Sequence, residues 1–129
     1  MDEAKFITLD NCLTILIYTD RSKSTNHMEL FTFYGGNYSS YIDYNGKKRN
    51  IKEGSAHLLE HYVCENTVSG DLLDNLRKYN VLSCNAGTSA FNTSYFFNTV
   101  CNFYECLDTF LDGIYNVSFT NEKLNKTKY

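Results

Sequence analysis

Three residues in one short segment have the side chains of a metal site. His57, Glu60 and His61 stand in the pentapeptide His-Leu-Leu-Glu-His. A helix turns by about 100° per residue, so side chains three and four positions apart share one face, with Cβ atoms about 5–6 Å apart. The two imidazoles can therefore bind one metal ion, and the Glu60 carboxylate borders the same face.

Zinc is the metal that this set of side chains favours. Neutral imidazole is a good zinc ligand, and a catalytic zinc site holds three protein ligands and one open position for water. His57 and His61 are thus predicted zinc ligands. Glu60 is the predicted catalytic base, which takes a proton from zinc-bound water as that water attacks a peptide carbonyl. The alternative is that both histidines are ordinary helix residues and that Glu60 pairs with one of them.

The composition excludes several classes of partner. The chain has 129 residues and a net charge of −3, with lysines and arginines scattered among acidic residues. Binding to a phosphate backbone needs a basic stripe, so we expect no nucleic-acid partner. The longest apolar runs, such as residues 13–18, are too short to span a bilayer, and the first residues are acidic. We therefore expect no membrane partner and no signal peptide.

The cysteines indicate the redox environment. Cys12, Cys64, Cys84, Cys101 and Cys106 form no CxxC pair, and an odd number cannot all be bridged. Free cysteine behaves as a small hydrophobic residue, and unbridged cysteines are typical of a reducing compartment. We predict buried thiols and a cytoplasmic location.

Hydrophobic periodicity predicts the elements that position these residues. Ser55 is the expected N-cap of a helix that carries the pentapeptide, and further helices are predicted at 71–79, with Asp71 near its positive end, and at 103–117. Strands are predicted at 6–9, 13–18, 28–34, 81–86 and 91–100, the third being ended by Gly35-Gly36. The polar segment 37–54 is predicted to be a loop with a small hairpin. Strands and helices do not alternate regularly as β-α-β units, so this order of elements indicates an α+β fold with a largely antiparallel sheet.

Several segments together resemble a known family. The octapeptide Gly54-Ser-Ala-His-Leu-Leu-Glu-His61, followed by Asn85-Ala-Gly-Thr-Ser89 and Thr93-Ser-Tyr-Phe-Phe97, resembles the pitrilysin or insulinase family of zinc peptidases. Mitochondrial processing peptidase belongs to the same family, and the bacterial members are the most similar in character. The resemblance implies the zinc ligands and the base already named, and a sheet with its helices packed on one face.

The resemblance also implies a substrate site. Asn85 and Ala86 would line the cleft, where an unfolded peptide binds as an added strand because a strand edge offers free N–H and C=O groups. A turn residue at the end of a strand is the alternative interpretation of Asn85.

The family takes its third zinc ligand from a glutamate on a later helix, which would fall beyond Tyr129. Residues 1–129 are therefore predicted to form a single, incomplete amino-terminal peptidase domain. Its function would be zinc-dependent endopeptidase activity on unfolded peptides, absent from this chain alone. Its expected partners are the peptide substrate and either the remaining domains of the parent protein or a homologous subunit. The alternative is a non-catalytic family member that acts as a binding or assembly subunit.

Overall fold

The computed structural model describes residues 3–127, which form seven strands and four helices. In chain order these are β1 (Glu3–Thr8), β2 (Thr14–Thr19), β3 (Asn26–Thr32), β4 (Ser40–Ile42), β5 (Lys48–Asn50), α1 (Ser55–Glu65), α2 (Leu72–Arg77), β6 (Ser83–Thr88), β7 (Thr93–Thr99), α3 (Phe103–Tyr115) and α4 (Asn121–Thr127). The predicted strands and the first three helices are all present, with ends that differ by a few residues.

The strands form three antiparallel sheets. β1 pairs with β2, β4 pairs with β5 in the small hairpin expected within residues 37–54, and the main sheet has the order β3-β7-β6. Every strand pairing within residues 3–127 is antiparallel, so the predicted α+β class with a largely antiparallel sheet is confirmed.

One face of the main sheet forms the core. Along β7, buried residues alternate with half-buried ones, as expected for a strand that is covered on one side. Phe97 is fully buried and meets Phe110 of α3 with ring centroids 5.5 Å apart. Leu72 and Leu76 of α2 pack into the same cluster. Burial of a large apolar side chain stabilises a fold by about 1.5–3 kcal/mol. The helices therefore lie on one face of the sheet, as expected.

The first two helices begin in different ways. Gly54 is the N-cap of α1, at φ 80°, and no side chain caps the helix. A left-handed φ carries no steric penalty for glycine, so the chain can enter the helix through this residue. The prediction that Ser55 is the N-cap is therefore wrong, since Ser55 is already helical. Asp71 does cap α2, where its carboxylate accepts a hydrogen bond from the Asp74 N–H at 2.8 Å.

Periodicity does not predict helix α4, which has seven residues, none of them buried. Its start is fixed instead by Tyr62 of α1, whose hydroxyl donates to the Ser118 carbonyl and accepts from the Thr120 N–H, both at 2.9 Å. The Tyr62 ring stacks on Phe119 at 4.9 Å. These tertiary contacts add to a local cap, in which Thr120 Oγ1 accepts from the Lys123 N–H at 3.2 Å, and apolar spacing reveals neither.

The longest helix, α3, has 13 residues. A bilayer requires about 20 apolar residues in helical conformation, so none of the helices described between residues 3 and 127 could cross a membrane.

All five cysteines are free thiols, and they differ in exposure. Cys64 and Cys106 are buried and Cys84 is half-buried, whereas Cys12 and Cys101 are exposed. The prediction of buried thiols is therefore wrong for Cys12 and Cys101. Both lie outside the regular elements, Cys12 in the turn between β1 and β2 and Cys101 just before α3, where little packs over them.

Candidate metal centre

Helix α1 brings His57, Glu60 and His61 together on one face. The two Nε2 atoms of the histidines lie 3.1 Å apart, and a Glu60 carboxylate oxygen lies 4.0 Å from His57 Nε2. One ligand atom from each of the three residues can be chosen so that all lie within 4.8 Å of one another. Within the described residues this is the one group of three or more histidine, cysteine or acidic side chains that could hold a metal ion.

The spacing of the imidazoles suits zinc. Two nitrogens that each lie about 2.0–2.1 Å from a tetrahedral zinc are separated by roughly 3.3 Å. The observed 3.1 Å between His57 Nε2 and His61 Nε2 is close to that value. The same distance allows a hydrogen bond when one ring carries its proton on Nε2, so the pair can either share a proton or hold a cation. Both rings are exposed, which leaves them accessible to an incoming ion.

Glu60 differs from its neighbours because its side chain is buried, with the residue only 7% exposed. A buried carboxylate needs a hydrogen-bond donor. Thr88 of β6 provides one, with its Oγ1 2.8 Å from Glu60 Oε2. Sequence reasoning missed this role of Thr88, although the residue lies within the Asn85–Ser89 segment that carried the family resemblance. The hydrogen bond joins residues 28 positions apart, and spacing on a helix cannot reveal it.

His61 has a second neighbour on α1. A Glu65 carboxylate oxygen lies 3.8 Å from His61 Nδ1, and the other Glu65 oxygen accepts a hydrogen bond from Thr127 Oγ1 at 3.1 Å. The end of α4 is therefore linked to the residue next to the histidine pair. Glu65 faces Nδ1 of His61, whereas Nε2 faces His57.

Asn85 and Ala86 lie on β6, the strand that packs against α1. Asn85 is exposed and its side-chain oxygen accepts from the Ala86 N–H at 2.9 Å, whereas Ala86 is half-buried against the core. Their strand forms one edge of the main sheet within residues 3–127. The hydrogen bond from β6 to the histidine cluster comes from Thr88, and a substrate role for Asn85 and Ala86 stays a prediction.

Other histidine, acidic and cysteine side chains, which could in principle bind a metal, lie in structural contacts or are buried. His27 of β3 contacts Asn98 at 2.9 Å, and Asp74 pairs with Arg77 at 2.6 Å. Asp71 caps α2. Burial raises the pKa of the Cys64 thiol to about 12, which keeps it protonated and a poor ligand.

Comparison with known proteins identifies the relatives of this chain. The sequence model of the insulinase family, peptidase family M16, matches residues 47–129. A Bacillus subtilis protein named as the uncharacterized zinc protease YmfH is 27% identical over 122 residues, which cover 93% of this chain and 28% of that protein.

Two crystal structures share the fold. An M16-like peptidase from Alicyclobacillus acidocaldarius matches with a TM-score of 0.88 and 23% identity, over 98% of this chain and 29% of that one. A protease from Helicobacter pylori matches with a TM-score of 0.78 and 18% identity, over 99% of this chain and 29% of that one. This chain therefore spans less than a third of the length of these relatives.

Proposed function

Because this chain belongs to the insulinase family of peptidases, family M16, we propose that it carries two zinc ligands and the catalytic base of a zinc-dependent endopeptidase. The observation that supports this most directly is the convergence of His57, Glu60 and His61 within 4.8 Å on α1. The name of the Bacillus subtilis relative, a zinc protease, agrees with it.

His57 and His61 would hold the zinc through Nε2, since these two nitrogens already face each other at 3.1 Å. When bound, zinc acts as a Lewis acid, which polarises a peptide carbonyl and makes water more acidic. A catalytic site needs a third protein ligand. We propose that a carboxylate following α4 in the parent protein supplies it, so the 129-residue chain binds zinc weakly and does not cleave peptides alone.

Glu60 would act as the proton carrier of the reaction. Its carboxylate removes a proton from the attacking water and later delivers that proton to the nitrogen of the departing peptide. The burial of Glu60 suits this role, because a carboxylate shielded from bulk water has few competing partners.

An unfolded peptide would bind along the edge of β6. An edge strand carries backbone N–H and C=O groups that can pair with an extended chain. Asn85 and Ala86 would contact that peptide, and the packing of β6 on α1 would bring the peptide near Glu60. The remaining domains of the parent protein, or a homologous subunit, would complete the cleft.

The substitution Glu60→Gln in the full-length parent protein tests this function. We expect kcat to fall by about 10²–10⁴-fold, the usual contribution of a general base, while the zinc content stays the same. His57→Ala should instead remove both zinc and activity. Unchanged cleavage by Glu60→Gln would exclude the proposed base and favour a family member that binds or assembles without catalysis. The 129-residue chain should lose zinc during dialysis against a mild chelator. Retention of one zinc per chain would contradict the proposal that its site lacks a ligand.

A further inference from the structure

Glu60 is connected to the main sheet through one side chain, Thr88, whose Oγ1 lies 2.8 Å from Glu60 Oε2. We propose that Thr88 is a positioning residue that keeps the Glu60 carboxylate free of the metal, so that it remains available as a base. This inference rests on the proposed function, because it gives Glu60 a role beside a metal ion held by His57 and His61.

The direction of the hydrogen bond follows from the donors present. An ionised carboxylate only accepts, so the Thr88 hydroxyl donates to Glu60. The neighbouring Thr93 hydroxyl donates to the Tyr34 carbonyl at 2.9 Å. Thr88 Oγ1 and Thr93 Oγ1 lie 3.3 Å apart and contact each other across the β6-β7 pairing. Thr93 is buried, so Thr88 rests against a fixed neighbour.

The side chain of Thr88 is well suited to hold a carboxylate in place. Threonine is branched at Cβ, which restricts rotation about χ1, and Thr88 ends a strand paired with β7 along its whole length. The residue is half-buried, so bulk water competes little for its hydroxyl. A hydrogen bond to a charged group is among the stronger ones in a protein. Thr88 therefore fixes the position of Glu60 Oε2 from a separate, rigid element.

A fixed position matters because Glu60 is close enough to become a ligand. Its Oε2 lies 4.0 Å from His57 Nε2, and carboxylate oxygens bind zinc at about 2.0–2.2 Å. A small rotation of the free side chain would bring an oxygen onto an ion shared by the histidines. A carboxylate that binds the metal with that oxygen is a poorer base, and it fills a position that water needs. The hydrogen bond from Thr88 opposes this rotation.

Cobalt(II) titration of the 129-residue chain tests the inference, because visible absorption reports the number and type of ligands without any need for activity. Thr88→Val removes the hydroxyl and keeps the branched shape. We expect Thr88→Val to bind cobalt about 10- to 100-fold more tightly, the equivalent of releasing one hydrogen bond to a charged group, with a changed spectrum. Thr88→Ser, which keeps the hydroxyl, should resemble the original chain.

The double variant Thr88→Val with Glu60→Gln separates the possible causes. If Thr88 acts through Glu60, adding Thr88→Val to Glu60→Gln should change neither affinity nor spectrum. Equal affinity and spectra for the original chain and Thr88→Val would overturn the inference, as would an effect that persists in the Glu60→Gln background. If Thr88→Val does not fold, Thr88→Ala removes the same hydroxyl and takes its place.

Cobalt binding by His57→Ala distinguishes failure of the proposed function from failure of the role proposed for Thr88. If His57→Ala leaves cobalt affinity and spectrum unchanged, the histidine pair does not bind the metal. Both the proposed site and the role of Thr88 are then wrong. If His57→Ala abolishes binding and Thr88→Val has no effect, the site stands and the role of Thr88 alone is overturned.

Discussion

His57 and His61 owe their contact to helical spacing, whereas Glu60 depends on a residue from another element. Side chains at positions i and i+4 meet on any helix, so the histidine pair could be predicted from the pentapeptide. The burial of Glu60 and its hydrogen bond to Thr88 require β6 to pack on α1. The sequence therefore predicted that the three side chains meet on one face, and it did not reveal the residue that holds Glu60.

Tyr62 of α1 contacts the start of α4. It is fully buried, and its hydroxyl both donates to the Ser118 carbonyl and accepts from the Thr120 N–H. Tyr62→Phe removes both of these hydrogen bonds. We expect it to lower the free energy of unfolding by about 1–3 kcal/mol, as measured by urea denaturation.

Tyr104→Phe is the matched control for this substitution. Tyr104 is 76% exposed, so the loss of the same hydroxyl should leave the unfolding free energy nearly unchanged. Equal stability of the Tyr62 and Tyr104 variants would show that the Tyr62 hydroxyl does not hold the start of α4.

At the level of secondary structure, Gly35, which follows β3, sets how closely two segments can approach. Gly35 is buried, and a Cβ at this position would lie 2.5–2.6 Å from backbone atoms of Ser89, Phe91 and Asn92. Backbone cannot move aside as a flexible side chain can. The turn between β6 and β7 therefore packs directly on the chain that follows β3.

Gly35→Ala should consequently destabilise the fold strongly. Overpacking of this kind costs typically about 1–3 kcal/mol, and the clash with three backbone atoms should place Gly35→Ala at the upper end of that range. Gly36→Ala is the control, because its Cβ would come no closer than 3.6 Å to the Ser89 carbonyl oxygen. Denaturation midpoints of the two variants give the comparison, and similar midpoints would contradict the close packing at Gly35.

The sequence predicted the kinds of elements better than their ends. Apolar spacing was sufficient for α1, α3 and the main strands, but β3 ends at Thr32, two residues before the end predicted from Gly35-Gly36. The sequence could not show that Gly35, and not Gly36, is required by packing. It also could not show that Gly54, with its left-handed φ, precedes α1 in place of a Ser55 cap. Helix α4 escaped prediction because it buries no residue and so has no apolar periodicity, and because Tyr62, which holds its start, is distant in the sequence.

For the molecule as a whole, the β1-β2 hairpin exposes an apolar face. Phe6 pairs with Leu16, Ala4 pairs with Tyr18, and the three large side chains are each more than half exposed. Contiguous apolar surface of this kind is typical of an interaction site. It supports the proposal that further parts of a longer protein, or a homologous subunit, pack against this chain.

The reactivity of the five thiols offers a test of the whole fold. Cys12 and Cys101 are exposed and should react quickly with a maleimide, whereas the buried Cys64 and Cys106 should react only on unfolding. Burial raises the pKa of Cys64 to about 12, so its thiol stays protonated and unreactive at neutral pH. Mass spectrometry of the labelled peptides over time gives the order in which the thiols react. Rapid labelling of Cys64 in the native chain would show that α1 does not pack as described.

Contacts of helix α1 join residues that are separated by very different numbers of positions in the sequence, and these separations affect the order in which the contacts form. The histidine pair closes within one helical turn, on the sub-microsecond timescale of helix formation. The hydrogen bond from Thr88 to Glu60 joins residues 28 positions apart, and the hydrogen bond from Tyr62 to Ser118 joins residues 56 positions apart. Each must therefore close a long loop. Contacts between distant residues form later, because the entropy of loop closure opposes them. In a nascent chain the two imidazoles would thus meet first, before Thr88 reaches the Glu60 carboxylate.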